Sequence, residues 1–155
     1  MPGVLGSGTI KSKTSFSSKR IAIVVAEWNE EITEALYEDA VQTLLASGLK
    51  KSNIIRKTVP GSFELTLGAL WMAEKKGIHA VICLGCVIQG DTPHFDYICQ
   101  AVAHGITEAG LQTRKPVIFG VLTTLNKEQA LERAGGKLGN KGGEAAISAL
   151  RMLAF

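Results

Sequence analysis

Strand and helix patterns alternate four times along the chain, which predicts an α/β fold whose right-handed crossovers build a parallel sheet with helices on both faces. The run at 81–88 points to the same class. Seven of its eight residues are apolar, with Gly85 the single interruption, as in a strand buried on both faces. Glycines stand where helices should stop, at Gly48, at Gly77 and at the pair Gly135-Gly136. The expected architecture is a flavodoxin-like three-layer α/β/α sandwich around a four-stranded parallel sheet.

Residues 1–18 are rich in Gly, Ser, Thr and Lys and lack periodicity, so they read as an extended N-terminal arm or tail ahead of a single α/β domain at 19–155. Residues 20–27 (RIAIVVAE) are the first buried strand. Asn29 is then an N-cap, with Glu30 and Glu31 in the first helical turn, where carboxylates meet the positive end of the helix dipole. Ile32, Leu36, Ala40 and Leu44 form that helix's apolar stripe. Residues 53–59 make a second, shorter strand closed by Pro60-Gly61, and Ser62, Phe63 and Glu64 open a helix reaching Lys76. After the strand at 81–88, Thr92 suits an N-cap and Pro93 the first helical position, and Ile98, Val102 and Ile106 continue the helix at four-residue spacing. Residues 116–123 (PVIFGVLT) are the fourth strand. Asn126 with Gln129 three residues on gives a capping-box start to a short helix ending at Gly135-Gly136, and a last helix runs from Gly142 to Ala154.

At 155 residues, with 46% hydrophobic and 20% charged, the chain suits one domain with a sizeable core and no second one. A net charge of +3 without any basic block is too weak to indicate nucleic acid, though it is compatible with an anionic small molecule. No run reaches membrane-spanning length and no signal-peptide core opens the chain, so no membrane association is expected. Three cysteines, Cys83, Cys86 and Cys99, are an odd number, and a cytoplasmic location, reducing, is the natural compartment. Cys83 and Cys86 match C-x-x-C by letter only. They fall inside a predicted strand with no second ligand pair at zinc spacing, so no metal is expected there.

The common nucleotide signatures are absent. No G-x-G-x-x-G follows the first strand, and Asp91 stands where a phosphate loop of the P-loop kind needs lysine. What remains are three short segments, Trp28-Asn29, Ser62-Phe63-Glu64 and 90–94, which a parallel sheet brings to one edge. Trp28 and Phe63 suit stacking on a flat heteroaromatic ring, and equally suit packing on their neighbours at a rim. Glu64 can accept hydrogen bonds from hydroxyl or amino groups of such a ligand. His94, in the first turn of a helix just past a buried strand, is a candidate general acid/base or a structural histidine. Residues 133–143 (RAGGKLGNKGG) hold Arg133, Lys137 and Lys141 among five glycines, a composition suited to a phosphate-binding loop or to a solvated helix connection.

The segments VPGSFE (59–64), GDTPHFDYIC (90–99), FGVLTT (119–124) and ERAGGKLGNKG (132–142) resemble lumazine synthase, in order and at the family's spacings, and the likeness runs over 19–153. The resemblance implies condensation of 5-amino-6-ribitylaminouracil with 3,4-dihydroxy-2-butanone 4-phosphate to 6,7-dimethyl-8-ribityllumazine, with release of phosphate and water and no cofactor. By motif position Trp28 would stack on the pyrimidine; Ser62, Phe63 and Glu64 would hold the ribityl chain; and the backbone of Cys86, Val87 and Ile88 would bind the ring edge. Asp91 and Thr92 would offer N–H groups to the phosphate, His94 would shuttle protons, and Phe119 and Arg133 would come from a neighbouring subunit, with Lys141 at the second basic position. The resemblance also implies a homopentamer, with a hollow icosahedral shell of pentamers and riboflavin synthase as a partner both open. Asp91, Gln89 and Trp28 depart from the residues common in the family. A flavin- or lumazine-binding protein without turnover is the rival reading. A flavodoxin-like electron carrier is disfavoured by Glu27-Trp28-Asn29-Glu30 where a Ser/Thr-rich loop would stand.

Overall fold

The computed structural model describes residues 14–155. In chain order it contains β1 (Ile21–Ala26), α1 (Glu30–Ala46), a 3₁₀ turn (Lys51–Asn53), β2 (Ile54–Val59), α2 (Leu65–Glu74), β3 (Ala80–Ile88), α3 (His94–Thr113), β4 (Val117–Thr124), α4 (Lys127–Glu132), β5 (Ala134–Gly136), β6 (Gly139–Asn140) and α5 (Lys141–Leu153). Most of the arm expected at 1–18 lies outside the described residues. Within the described part Phe16 is buried in the core, and the Ser17 carbonyl accepts a hydrogen bond from Asn53 Nδ2 at 3.1 Å.

β1 to β4 form one parallel sheet in the order β2-β1-β3-β4, as the alternation predicts. Side chains alternate across it with a period of two. Ile21, Ile23 and Val25 of β1 and Ile82, Leu84 and Cys86 of β3 join the core under α1 and α5, whereas Ala22, Val24, Ala26, Val81 and Cys83 join the core under α2 and α3. Cys83 and Cys86 thus belong to opposite faces of the sheet. Both faces of β1 are covered, which is why every residue from Ile21 to Ala26 is buried.

The strand order changes direction between β1 and β3, the place where open α/β sheets part at their carboxyl ends. β1 pairs with β3 only as far as Val25 with Leu84. The chain then follows β2: Glu27 N–H donates to the Val59 carbonyl at 2.9 Å, and Trp28 N–H to the Pro60 carbonyl at 3.1 Å. Meanwhile β3 continues to Ile88 against β4. A crevice opens between them.

Four details differ from the sequence reading. Asn29 does not cap α1 with its side chain; its backbone is left-handed (φ 60°, ψ 46°) and its carboxamide leaves the helix altogether. α2 begins at Leu65 rather than at Ser62, because residues 61–64 form a turn in which Glu64 Oε2 accepts the Gly61 N–H at 3.0 Å. α3 begins one residue later than expected, at His94, although Thr92 Oγ1 still receives the His94 N–H at 3.4 Å. The fourth is at 133–143. α4 closes at Glu132, and an antiparallel ribbon of β5 and β6 follows, with Gly135 (φ 106°) and Gly139 (φ 80°) in the left-handed region that favours glycine. Gly142 and Gly143 serve packing, since a β-carbon on either would run into α1, at the Leu36 backbone and at Asp39.

Candidate active site

Two loops and a strand end meet at the crevice. Trp28 and Asn29 follow β1, residues 61–64 follow β2, and 85–88 form the end of β3. Their approach is close: a β-carbon on Gly61 would lie 3.4 Å from Trp28 Cδ1 and 3.2 Å from Glu64 Oε2, and one on Gly85 would lie 2.6 Å from Ser62 Oγ. Glycine at 85 is what lets Ser62 settle against β3, whereas a β-carbon at 61 would make ordinary contact with Trp28. Asn29 Nδ2 donates to the Cys86 carbonyl at 2.9 Å, tying the first loop to the strand end.

Large apolar side chains are left in the open here. Trp28 is 73% exposed and Phe63 52%, a strong departure from the burial that aromatics usually find. Ser62 is the reverse, a buried hydroxyl whose Oγ has no hydrogen-bond partner among the described residues. Glu64 is exposed while its carboxylate is held by Gly61 N–H. Cys86 is buried, and loss of water around it pushes its thiol up to about 11, so it is neutral near pH 7. Val87 and Ile88 are half-buried, Asp91 and Thr92 are exposed, and exposed His94 heads α3 just beyond them.

Phe119, Arg133 and Lys141 gather elsewhere. Together with Gln129, Glu144 and Thr124 they line a cleft of about 500 Å³ along β4 and α5, and Trp28, Phe63, Glu64 and His94 are not among its walls. Within this cleft the two cations differ. Lys141 Nζ donates to both carboxylate oxygens of Glu144, at 2.9 and 2.8 Å, so its charge is matched. Arg133 Nη1 donates to the Gln129 carbonyl at 2.9 Å, a neutral partner that leaves the guanidinium charge uncompensated; among the described residues it makes no carboxylate pair. Lys137, the third cation of the glycine-rich stretch, pairs with Glu132 at 2.8 Å, and that hydrogen bond raises its pKa.

Sequence reasoning missed Asn29 as a link between the first loop and β3, because its position before Glu30-Glu31 signals a cap. It also missed Glu144, whose only sequence signal is its three-residue spacing from Lys141. Among the described residues no group of three or more His, Cys, Asp or Glu side chains is placed to hold a metal, and no helix is long and apolar enough to cross a membrane.

Residues 18–155 match the sequence model of a family described as 6,7-dimethyl-8-ribityllumazine synthase. A protein of that name from Cytophaga hutchinsonii is 70% identical over 140 residues, covering 90% of this chain and 88% of its own. Another from Parabacteroides distasonis is 57% identical over 139 residues, with 90% and 87% covered. A more distant one, from Thermus thermophilus, is 47% identical over 134 residues, with 86% and 85% covered.

Proposed function

The chain belongs to the 6,7-dimethyl-8-ribityllumazine synthase family, and from that premise we propose that it condenses 5-amino-6-ribitylaminouracil with 3,4-dihydroxy-2-butanone 4-phosphate to 6,7-dimethyl-8-ribityllumazine. The observation that carries this reading is the convergence of exposed Trp28 and Phe63, Glu64 and the end of β3 on the crevice between β1 and β3. A flat pyrimidine fits between an indole face and a strand edge. Trp28 stacks on it, the end of β3 from Cys86 through Val87 to Ile88 runs along its polar edge with the backbone of Ile88 turned to it, and Ser62, Phe63 and Glu64 hold the ribityl chain.

The chemistry asks for little more than orientation and proton movement. The pyrimidine's 5-amino group attacks the ketone and water leaves as the imine forms. A proton lost from the hydroxyl-bearing carbon then drives out phosphate, which departs with the C–O bonding electrons; the enol left behind takes a proton on its terminal carbon and becomes a ketone, and attack by the ribityl-bearing nitrogen on that new carbonyl closes the ring with loss of a second water. His94 moves the protons. Holding the two reactants together supplies much of the rate, and an acid/base group typically adds about 10²–10⁴-fold.

Phosphate is held by Arg133, whose uncompensated charge supports that role, with N–H groups at Asp91 and Thr92 and with Lys141 alongside. Arg133, Lys141 and Phe119 line a cleft whose walls do not include Trp28 or His94, which supports a site shared between neighbouring copies. A homopentamer with sites between subunits is the assembly proposed with it. Closure of pentamers into an icosahedral shell, riboflavin synthase as a partner that consumes the product, and a cytoplasmic location belong to the same proposal.

The test is to mix the purified protein with both substrates and follow lumazine absorbance. Product above the uncatalysed background is the expected result. Tight binding of the pyrimidine or of riboflavin without product would instead favour a binding protein that has lost turnover.

A further inference from the structure

Past Ala26 the first strand abandons β3, yet β3 remains extended for four more residues after Leu84. Its backbone polar groups alternate. Val81 N–H donates to the Pro116 carbonyl and Gln89 N–H to the Thr124 carbonyl, so odd-numbered residues of β3 turn toward β4 and even-numbered ones toward β1. Cys86 and Ile88 therefore face the crevice. The next N–H of the first strand, that of Trp28, would have served the Cys86 carbonyl, but it is spent on Pro60.

Asn29 fills that place. Its left-handed backbone, a conformation asparagine adopts more readily than other non-glycine residues, turns its carboxamide away from α1, and Nδ2 donates to the Cys86 carbonyl across 57 residues of sequence. We propose that Asn29 is a positioning residue: its carboxamide substitutes for a missing strand N–H, holds Cys86 to Ile88 extended past the end of β1, and leaves the polar groups of Ile88 turned to the pyrimidine. The same bond fixes the distance between that edge and Trp28, the adjacent residue. The ring is thus received into a slot whose two sides are joined by one hydrogen bond. This inference rests on the pyrimidine binding in the crevice, as proposed above.

The experiment uses the full chain with Trp71→Phe, which leaves Trp28 as the only tryptophan, since the sequence has two. Binding of 5-amino-6-ribitylaminouracil alone is followed by quenching of Trp28 fluorescence, and the two KM values are measured in turnover. Asn29→Gly keeps the left-handed backbone and deletes the carboxamide. Asn29→Asp keeps its shape but sets a carboxylate against the Cys86 carbonyl. Losing one neutral hydrogen bond should weaken pyrimidine binding about two- to tenfold in Asn29→Gly. Asn29→Asp should be weaker still, while the KM for the butanone phosphate stays within about twofold in both. A residue that merely starts α1 predicts the opposite order, because aspartate is as good a cap as asparagine and its charge suits the helix N-terminus. Pyrimidine binding by Asn29→Asp equal to that of the parent, or by Asn29→Gly unchanged, overturns the proposal. Absence of Trp28 quenching in the parent overturns the crevice reading itself, and with it this inference.

Discussion

Replacing Gly142 by alanine sets two effects of opposite sign against each other. Alanine is the better helix former by up to about 1 kcal/mol in a helix interior, and Gly142, the second residue of α5, gains at most that. Its new β-carbon, however, would overlap the carbonyl of Leu36, meeting that residue's O, C and Cα. What decides the sign is what has to yield. Leu36 is fully buried in the middle of the 17-residue α1, and the atoms struck are backbone, so relief requires α1 and α5 to move apart. Overpacking of this kind costs about 1–3 kcal/mol, and with an unyielding neighbour the upper end applies. A net loss of about 2 kcal/mol corresponds to a fall of about 4–8 °C in melting temperature for a domain of this size. Differential scanning calorimetry at matched protein concentration measures it, with Gly90→Ala as control, because a β-carbon on Gly90 would meet nothing within 4 Å. The control should melt at or slightly above wild type. Gly142→Ala melting as high as wild type would refute the reasoning that the two helices are in backbone contact here.

Four further outcomes are expected. His94→Ala should leave a slow but measurable enzyme, with turnover reduced by up to about 10²–10⁴-fold, and Arg133→Ala should chiefly raise the KM for the phosphate substrate; steady-state kinetics with each substrate varied separates the two, and complete loss of turnover with binding intact would contradict the role given to His94. Glu34 is bonded to Arg56, which holds its carboxyl below the usual range, so the pair's stabilisation is present above that range and fades as pH falls through the lowered value. Arg56→Ala should therefore raise the Glu34 pKa, read by carboxyl NMR titration, and lower stability near neutral pH by no more than about 1 kcal/mol, since both side chains are a third exposed. Burial pushes the thiols of Cys83 and Cys86 up to about 12 and about 11, so both should resist iodoacetamide in the native protein at pH 8. Half-buried Cys99, raised by burial and by the charge of Asp96, should be labelled ahead of them in a mass-spectrometric time course.

The strands were legible because each apolar run had two buried faces to satisfy, and runs so short, rich in valine and isoleucine and bounded by turn residues, fit a strand better than a buried helix. The crevice was legible for a related reason: a parallel sheet must bring its loops to one edge, so Trp28, Phe63 and Glu64 had to be neighbours of the end of β3. Asn29 was misread because a capping asparagine and a left-handed one precede a helix in the same way, and the difference lies in a carbonyl 57 residues away. The ribbon at 134–140 was misread because glycine is permissive, and permissiveness names no particular shape. Gly142 and Gly143 belong to a stretch that suits a phosphate-binding loop or a solvated connection alike, whereas the space they leave is filled by α1. Arg133 and Lys141 looked alike in sequence, and only the placement of Gln129 and Glu144 distinguishes a free charge from a matched one.

The central position of β1 also bears on how the chain is made. Its pairing partner in β3 lies 59 residues downstream, Ile21 opposite Ala80. At a synthesis rate of about 5–20 residues per second, β1 waits about 3–12 s on the ribosome for that partner. During the wait α1 can already fold back over Ile21, Ile23 and Val25, because it follows within a few residues. The opposite face must stay bare until α2 and β3 emerge, and that face carries Ala22, Val24 and Ala26. The nascent strand thus shows water its smallest side chains for longest, and its large ones are the first to be covered.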